Sequence, residues 1–410
     1  MEQYDRRTVF APVWMENFSC IAGRCTETCC QQWDIDVDEA HALQFRQLDD
    51  PELRPVMDRT LSGVRVRRPG TKTPEMLYRL RLLEQPDRRC PFLNENAECR
   101  LQKKYGAAIL CDTCYFHPRT FRQIDDETLL SACLSCPECA RLALLHEEPL
   151  TFTRFEAEID PNAEWLETEL IPDAGVRDLL RRHDRLISTL CGILQDRKLL
   201  FPDRMTRALA YLESPGSEDP GTGAGFSASL GETVSAVFSG VSSAGSDKLM
   251  EKFIAVFDPV STSMEKPAQS AALFMRQLAG GEKGYAALLA ENFRKGSGIS
   301  GSFLADHPWL EENLMVHCVF SDSFKQFFRY QNDPLTVTGL LRHEAALLTA
   351  WAWFFRVRLS LASLEHGCMD EDLFLKTVMH TDRNYLHYPD WFARCAERLK
   401  ALTESEIRIS

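Results

Sequence analysis

Eleven of the 15 cysteines in this chain of 410 residues stand before residue 140, and that crowding sets what the first third can fold into. Thiols at such density serve as disulfides, as metal ligands or as redox groups, and the compartment decides between them. The opening MEQYDRRTVFAPVW has no apolar h-region and no small-residue cleavage site, so no secretory leader is expected. A reducing, cytoplasmic setting is expected instead, in which thiols persist as ligands.

The cysteines fall into three clusters. The first is Cys20-x4-Cys25-x3-Cys29-Cys30. Short spacing lowers the entropy of bringing several thiolates onto one metal, and thiolates suit zinc and iron–sulfur clusters. The second is Cys90-Pro91-Phe92-Leu93, Cys99 and the pair Cys111-x2-Cys114, followed by His117, a candidate further ligand. The third, Cys133-x2-Cys136-x2-Cys139, has part of a ferredoxin run but not its fourth cysteine and following proline. Cys191, Cys318, Cys368 and Cys395 are isolated on helix-like stretches and read as core residues.

A formal charge of −13 argues against general nucleic-acid binding, which needs a basic face. The most apolar long stretch, Ala345 to Phe355, is short of the ~20 residues of a membrane span and reads as a buried helix. No Walker A, G-x-S-x-G or H-E-x-x-H pattern is present, nor the C-x3-C-x2-C signature of radical S-adenosylmethionine enzymes. Gly221 to Gly225 lies without a strand before it, and reads as linker rather than a phosphate loop.

The pattern predicts a mainly α protein. A cysteine-rich metal domain over 1–147 precedes a helical segment over 148–212, a Gly/Ser/Pro-rich linker or insertion over 213–247 and an all-helical domain over 248–410. Within the first region a helix starts at Asp38, and Met76 to Leu83 alternates as a strand with Thr128 to Leu130 as its expected partner. Later helices are expected over Arg177–Leu200, Asp203–Leu212, Leu249–Phe257, Pro267–Leu278, Ala286–Phe293, Pro308–Val319, Ser323–Tyr330, Leu335–Leu364, Asp370–Met379 and Pro389–Leu402. The group Trp351, Trp353, Phe354 and Phe355 reads as helix core. The tract Arg383 to Pro389 has the composition of a pocket wall.

Phe18-Ser19-Cys20, Cys25, Thr28-Cys29-Cys30 and Trp33-Asp34-Ile35 resemble the opening of the flagellin lysine-N-methylases. Cys90-Pro91-Phe92-Leu93, Cys99-Arg100-Leu101-Gln102, Tyr105-Gly106, Thr113-Cys114, Pro118-Arg119, Ser135-Cys136-Pro137-Glu138 and Ala140-Arg141 look like its later blocks. The resemblance covers roughly residues 14 to 145. It implies a cytoplasmic bacterial enzyme that methylates lysine side chains of flagellin, with S-adenosylmethionine as donor and a [4Fe-4S] cluster. The matching cysteines are Cys20, Cys25, Cys29, Cys30, Cys90, Cys99, Cys114 and Cys136. Cys111, Cys133 and Cys139 are additional. Eight thiols exceed the four ligands of one cubane, so either some are structural or a second site exists. The framework is also similar to small cysteine-cluster proteins thought to bind zinc or iron, which makes zinc the alternative metal.

Methyl transfer to lysine needs a neutral amine, whereas free lysine has a pKa of about 10.4; the site must desolvate the amine or present a base, and align it with the methyl group. Spacing alone identifies neither base nor donor site. Two roles are open to the cluster: engaging the donor, or stapling the domain together. The alternative function is a non-catalytic zinc- or iron-binding or redox-sensing adaptor.

Overall fold

The computed structural model describes residues 4–31, 35–66, 75–82, 88–214, 225–239, 243–257, 282–323, 336–386 and 389–409. The chain divides into two compact units. The first comprises Met1–Arg122, Thr128–Cys139 and Thr153–Ala163, and the second comprises Gln123–Glu127, Ala140–Phe152 and Glu164–Ser410.

The first unit carries more sheet than its sequence suggests. Its elements are β1 (Arg6–Pro12), β2 (Ile35–Val37), α1 (Glu39–Gln47), α2 (Arg54–Thr60), β3 (Leu61–Val66), β4 (Glu75–Leu80), α3 (Arg100–Tyr105), α4 (Asp112–Phe116), β5 (Arg119–Ile124), β6 (Glu127–Ala132), the start of α5 (Pro137–Leu144), whose residues from Ala140 belong to the second unit, and β7 (Phe152–Glu158). α1 begins where Asp38 caps it, accepting from the His41 backbone N–H at 2.9 Å, and it buries Ala42 and Phe45.

The expected strand at Met76 is present as β4, but its expected partner is not the one it takes. β4 is the centre of an antiparallel sheet ordered β2-β4-β3, pairing Leu80 with both Ile35 and Leu61. Thr128 to Leu130 lies in β6, beside β1 in parallel register, with Val9 opposite Thr128. Period-two alternation identifies a strand and its buried face but not its neighbour. Strands β7, β1, β6 and β5 run side by side in that order.

The second unit holds β8 (Glu164–Leu166), α6 (Ala174–Leu180), α7 (His183–Leu194), α8 (Phe201–Glu213), α9 (Phe226–Ser239), α10 (Ser243–Phe257), α11 (Glu282–Asp306), α12 (Pro308–Asp322), α13 (Val337–His366), α14 (Glu371–Thr381) and α15 (Pro389–Ile409). The single helix expected over Arg177–Leu200 is two, because the chain turns at Arg181 and Arg182, where the Arg182 N–H bonds Leu179 at 3.1 Å instead of continuing the ladder. The stretch whose composition suggests a linker contains α9, whose Phe226, Leu230, Val234 and Val237 are buried at helical spacing. The expected helix at Pro267–Leu278 and most of that at Ser323–Tyr330 lie outside the described residues, as do Trp33, Asp34 and Gly221 to Ala224.

α13 is the axis of this unit, packed by α8, α9, α11, α12, α14 and α15. Trp351, Trp353, Phe354 and Phe355 are core as expected, and Phe354 meets Trp391, Phe257 and Tyr385. At 30 residues α13 is long and apolar enough to cross a membrane, and 78% of its most apolar window is buried against the protein. Gly296 lets α11 touch it: a methyl group there would lie 1.8 Å from the Ser360 carbonyl oxygen. Cys191, Cys318 and Cys395 are buried as expected, while Cys368 is exposed beside Gly367, which ends α13 with φ +71.

Candidate metal centre

One cavity of about 590 Å³ opens inside the first unit, and all eight cysteines singled out in the sequence line it. Their thiols arrive from four separate stretches. Cys20 and Cys25 flank a single 3-10 turn, with the Cys25 N–H bonded to Ala22 at 3.0 Å. Cys29 and Cys30 follow, and the Cys30 carbonyl accepts from the Cys90 N–H at 2.8 Å. Cys90 and Cys99 lie at either end of a tight turn closed by bridges between Leu93 and Cys99 and by the Arg100 N–H to Phe92 at 2.8 Å. Cys99 caps α3, Cys114 lies in α4, and Cys136 immediately precedes α5.

Cys111, one of the three cysteines outside the matching set, also lines the cavity. Its thiol lies against that of Cys114, and its signal in the sequence was the C-x2-C pair. Cys139 sits fully buried behind Cys136, and Cys133 is half-buried. His117 reaches Cys29. The rest of the wall is apolar, from Phe18, Phe45, Phe92 and Phe116, with charged groups at Arg6, Arg119, Glu138 and Glu158. Arg119 and Glu138 stand in the family-like blocks of the sequence without a role assigned there, and Glu158 carried no signal. Arg119 is fixed by a bond to the Phe18 carbonyl at 3.1 Å and lies over that ring. Glu158 accepts from the Tyr115 hydroxyl at 2.5 Å.

Electrostatics sort the thiols. Burial pushes Cys25 and Cys90 up to about 12, with further thiols beside them. Contact with Cys30, then burial, raises Cys29, although His117 pulls the other way. Contact with Cys111 and burial raise Cys114. Cys136 is the opposite case: the Cys139 thiol donates to it and the N–H groups of Cys139 and Glu138 point at it, holding it at about 7 against burial.

Beside the cavity, Asp38, His41 and Asp112 bring donor atoms within 4.8 Å of one another. These atoms already serve each other. The His41 ring bonds Asp38 at 2.8 Å, the Asp112 N–H bonds Asp38 at 3.2 Å, and Tyr4 donates to Asp112 at 2.8 Å. The network braces the starts of α1 and α4, and so the element that carries Cys114. Among the described residues, no three thiols approach one another that closely.

The tract from Arg383 does not contribute to this cavity: Asp382 and Arg383 are buried in the second unit, Tyr385 packs on Trp391, and His387 and Tyr388 lie outside the described residues.

No family model and no solved structure matches the chain. Among curated proteins it is similar to the Flagellar biosynthetic protein FliU of Salmonella muenchen, 28% identical over 131 residues, which are 32% of this chain and 73% of that protein. It is likewise similar to the Lysine-N-methylases of Salmonella choleraesuis and Salmonella typhimurium, 28% identical over 131 residues, 32% of this chain and 31% of theirs. The match thus spans less than a third of the length of the two lysine-N-methylases. This is a distant likeness to bacterial proteins named for lysine methylation and flagellar biosynthesis.

Proposed function

We propose that this chain is a protein-lysine N-methyltransferase acting on flagellin, with S-adenosylmethionine as donor and an iron–sulfur cluster held by the thiols of the first unit. The observation that carries the reading is the meeting of eight cysteines from four stretches of chain on one cavity. The names of the distant relatives supply the reaction class.

The donor set fits such a group. Thiolates bind iron–sulfur clusters and zinc alike. Four thiolates around one zinc ion lie within about 4 Å of each other, whereas each cubane ligand takes its own iron; no three of the described thiols lie within 4.8 Å of one another, which favours the cluster. Cys20, Cys25, Cys29, Cys30, Cys90, Cys99, Cys114 and Cys136 would hold the metal. When bound, it would supply folding energy to this unit and an iron site able to engage the donor.

The protein's own groups account for the remaining needs of the reaction. The apolar wall removes water from an entering lysine and lowers its proton affinity. Glu138 and Glu158 are the carboxylates on that wall, placed to accept the proton the amine must lose. Arg6 and Arg119 offer a matching positive side for the carboxylate of an amino-acid-bearing donor.

The test is co-expression with flagellin followed by mass spectrometry of its lysines, alongside anaerobic purification with iron and sulfide analysis. Mass increments of one or more methyl groups that vanish in the Glu138→Gln/Glu158→Gln variant are expected. A fully metallated protein that leaves flagellin unmodified would overturn the enzyme reading in favour of a metal-binding adaptor.

A further inference from the structure

We propose that the eight cysteines form two four-thiolate centres rather than one, resting on the metal-binding reading above: Cys20, Cys25, Cys29 and Cys136 in the first, and Cys30, Cys90, Cys99 and Cys114 in the second. The adjacent residues Cys29 and Cys30 send one thiol to each.

The neighbours of each thiol draw the boundary. Cys25 stands among Cys20, Cys29 and Cys136, and Cys20 faces Cys29 and Cys136. On the other side Cys90 faces Cys99 and Cys111, and Cys114 faces Cys111, Cys30 and Cys90. The two groups touch through Cys29 and Cys30, whose thiols meet.

The packing draws the same boundary independently. Cys90 and Cys111 belong to one hydrophobic core with Ile35, Phe45, Phe92 and Leu101, and Cys30, Cys99 and Cys114 pack against it. Cys20, Cys25, Cys29 and Cys136 are outside that core. The backbone supports the division, since the Cys90 N–H bonds the Cys30 carbonyl at 2.8 Å.

The chemistry requires four ligands per centre, whether the group is a cubane or a zinc ion. Eight of the nine thiols on the wall satisfy two centres. A single centre would leave five of the nine cysteines on this wall without a metal. Cys111, hydrogen-bonded to Cys114 and beside Cys90 and Cys99, is a fifth thiol of the second set.

The full chain is reconstituted anaerobically with ferrous iron and sulfide, and iron and sulfide are counted per chain. The variants are Cys20→Ser/Cys25→Ser for the first set and Cys90→Ser/Cys99→Ser for the second, each leaving too few thiols for Cys111 to complete four ligands. Wild type is expected to hold about eight irons and each variant about half as many. About four irons in wild type, abolished by either variant, would overturn the partition while leaving the metal reading intact. Failure of wild type to hold iron or zinc would sink the metal reading, and the partition with it. Should a variant not fold, wild type loaded with half and then with all of its iron, and alkylated at each stage, gives the answer. At half load one quartet is then protected as a block, and at full load protection of all eight thiols supports two centres, whereas protection of only four opposes them.

Discussion

Gly23 stands so close to Asn96 that a methyl group on its α-carbon would lie 2.3 Å from the Asn96 carbonyl oxygen. The turn holding Cys20 and Cys25 therefore rests directly on the turn between Cys90 and Cys99. Asn96 cannot easily retreat: Asn94 accepts from the N–H groups of Asn96 and Glu98 at 3.0 and 2.9 Å. Gly23→Ala should separate the two turns and cost about 1–3 kcal/mol by overpacking. Denaturant titration would measure that cost, and a metal content equal to wild type would count against the contact's importance.

Cys136 should react ahead of Cys25 and Cys90 in the metal-free protein at neutral pH. Its value of about 7 leaves it half ionised there, while Cys25 and Cys90 at about 12 remain protonated. Alkylation by iodoacetamide, followed by peptide mass spectrometry, should show Cys136 labelling before these two with a rate that rises through pH 7. Labelling of Cys25 ahead of Cys136 would refute the assignment.

Metal uptake should release protons, because most of the other thiols must ionise to bind. Calorimetry in buffers of different ionisation enthalpy would count them. Apparent affinity is expected to climb with pH, and a pH-independent affinity would mean that the ligands are not these raised thiols.

The Asp38–His41 pair should give stability a window. Burial opposes the charge on Asp38, but bonds from His41 and the Asp112 N–H hold its carboxyl at about 2. Its contribution is present above the ordinary carboxylate range and lost as pH falls towards 2. Asp38 in turn raises His41 against burial. That contribution is full below the usual histidine value of about 6.5 and disappears as pH rises through the raised one. The difference in Tm between wild type and His41→Ala should thus narrow as pH is raised from neutrality; a constant gap would rule out the ionic part.

In the second unit, Glu312 is the shared partner of Arg204 at 2.7 Å and Arg197 at 2.9 Å, with Glu312 and Arg204 both buried. Glu312→Ala leaves the Arg204 charge without its buried partner, an expected loss of about 3–5 kcal/mol. Chemical denaturation would read it, and a loss below 1 kcal/mol would mean water reaches Arg204.

Some of this protein is determined by its sequence alone. Cysteine spacing marked three clusters, and the family resemblance picked from them eight thiols that line the cavity, because metal-type clusters are short-range patterns. Long apolar runs without breaking residues marked α12 to α15 as helices, and α12 and the middle of α13 are buried on every side. The tertiary structure decided the rest. It made Leu80 pair with Ile35 and Leu61 rather than with the strand at Thr128, set Gly23 on Asn96, and gathered Arg119, Glu138 and Glu158 onto a wall with the thiols. It also divided Cys29 from Cys30 by the core that claims only the latter. Spacing along the chain governs the entropy of local closure, but which distant segments meet depends on burying apolar surface across the whole unit, and no local pattern encodes that.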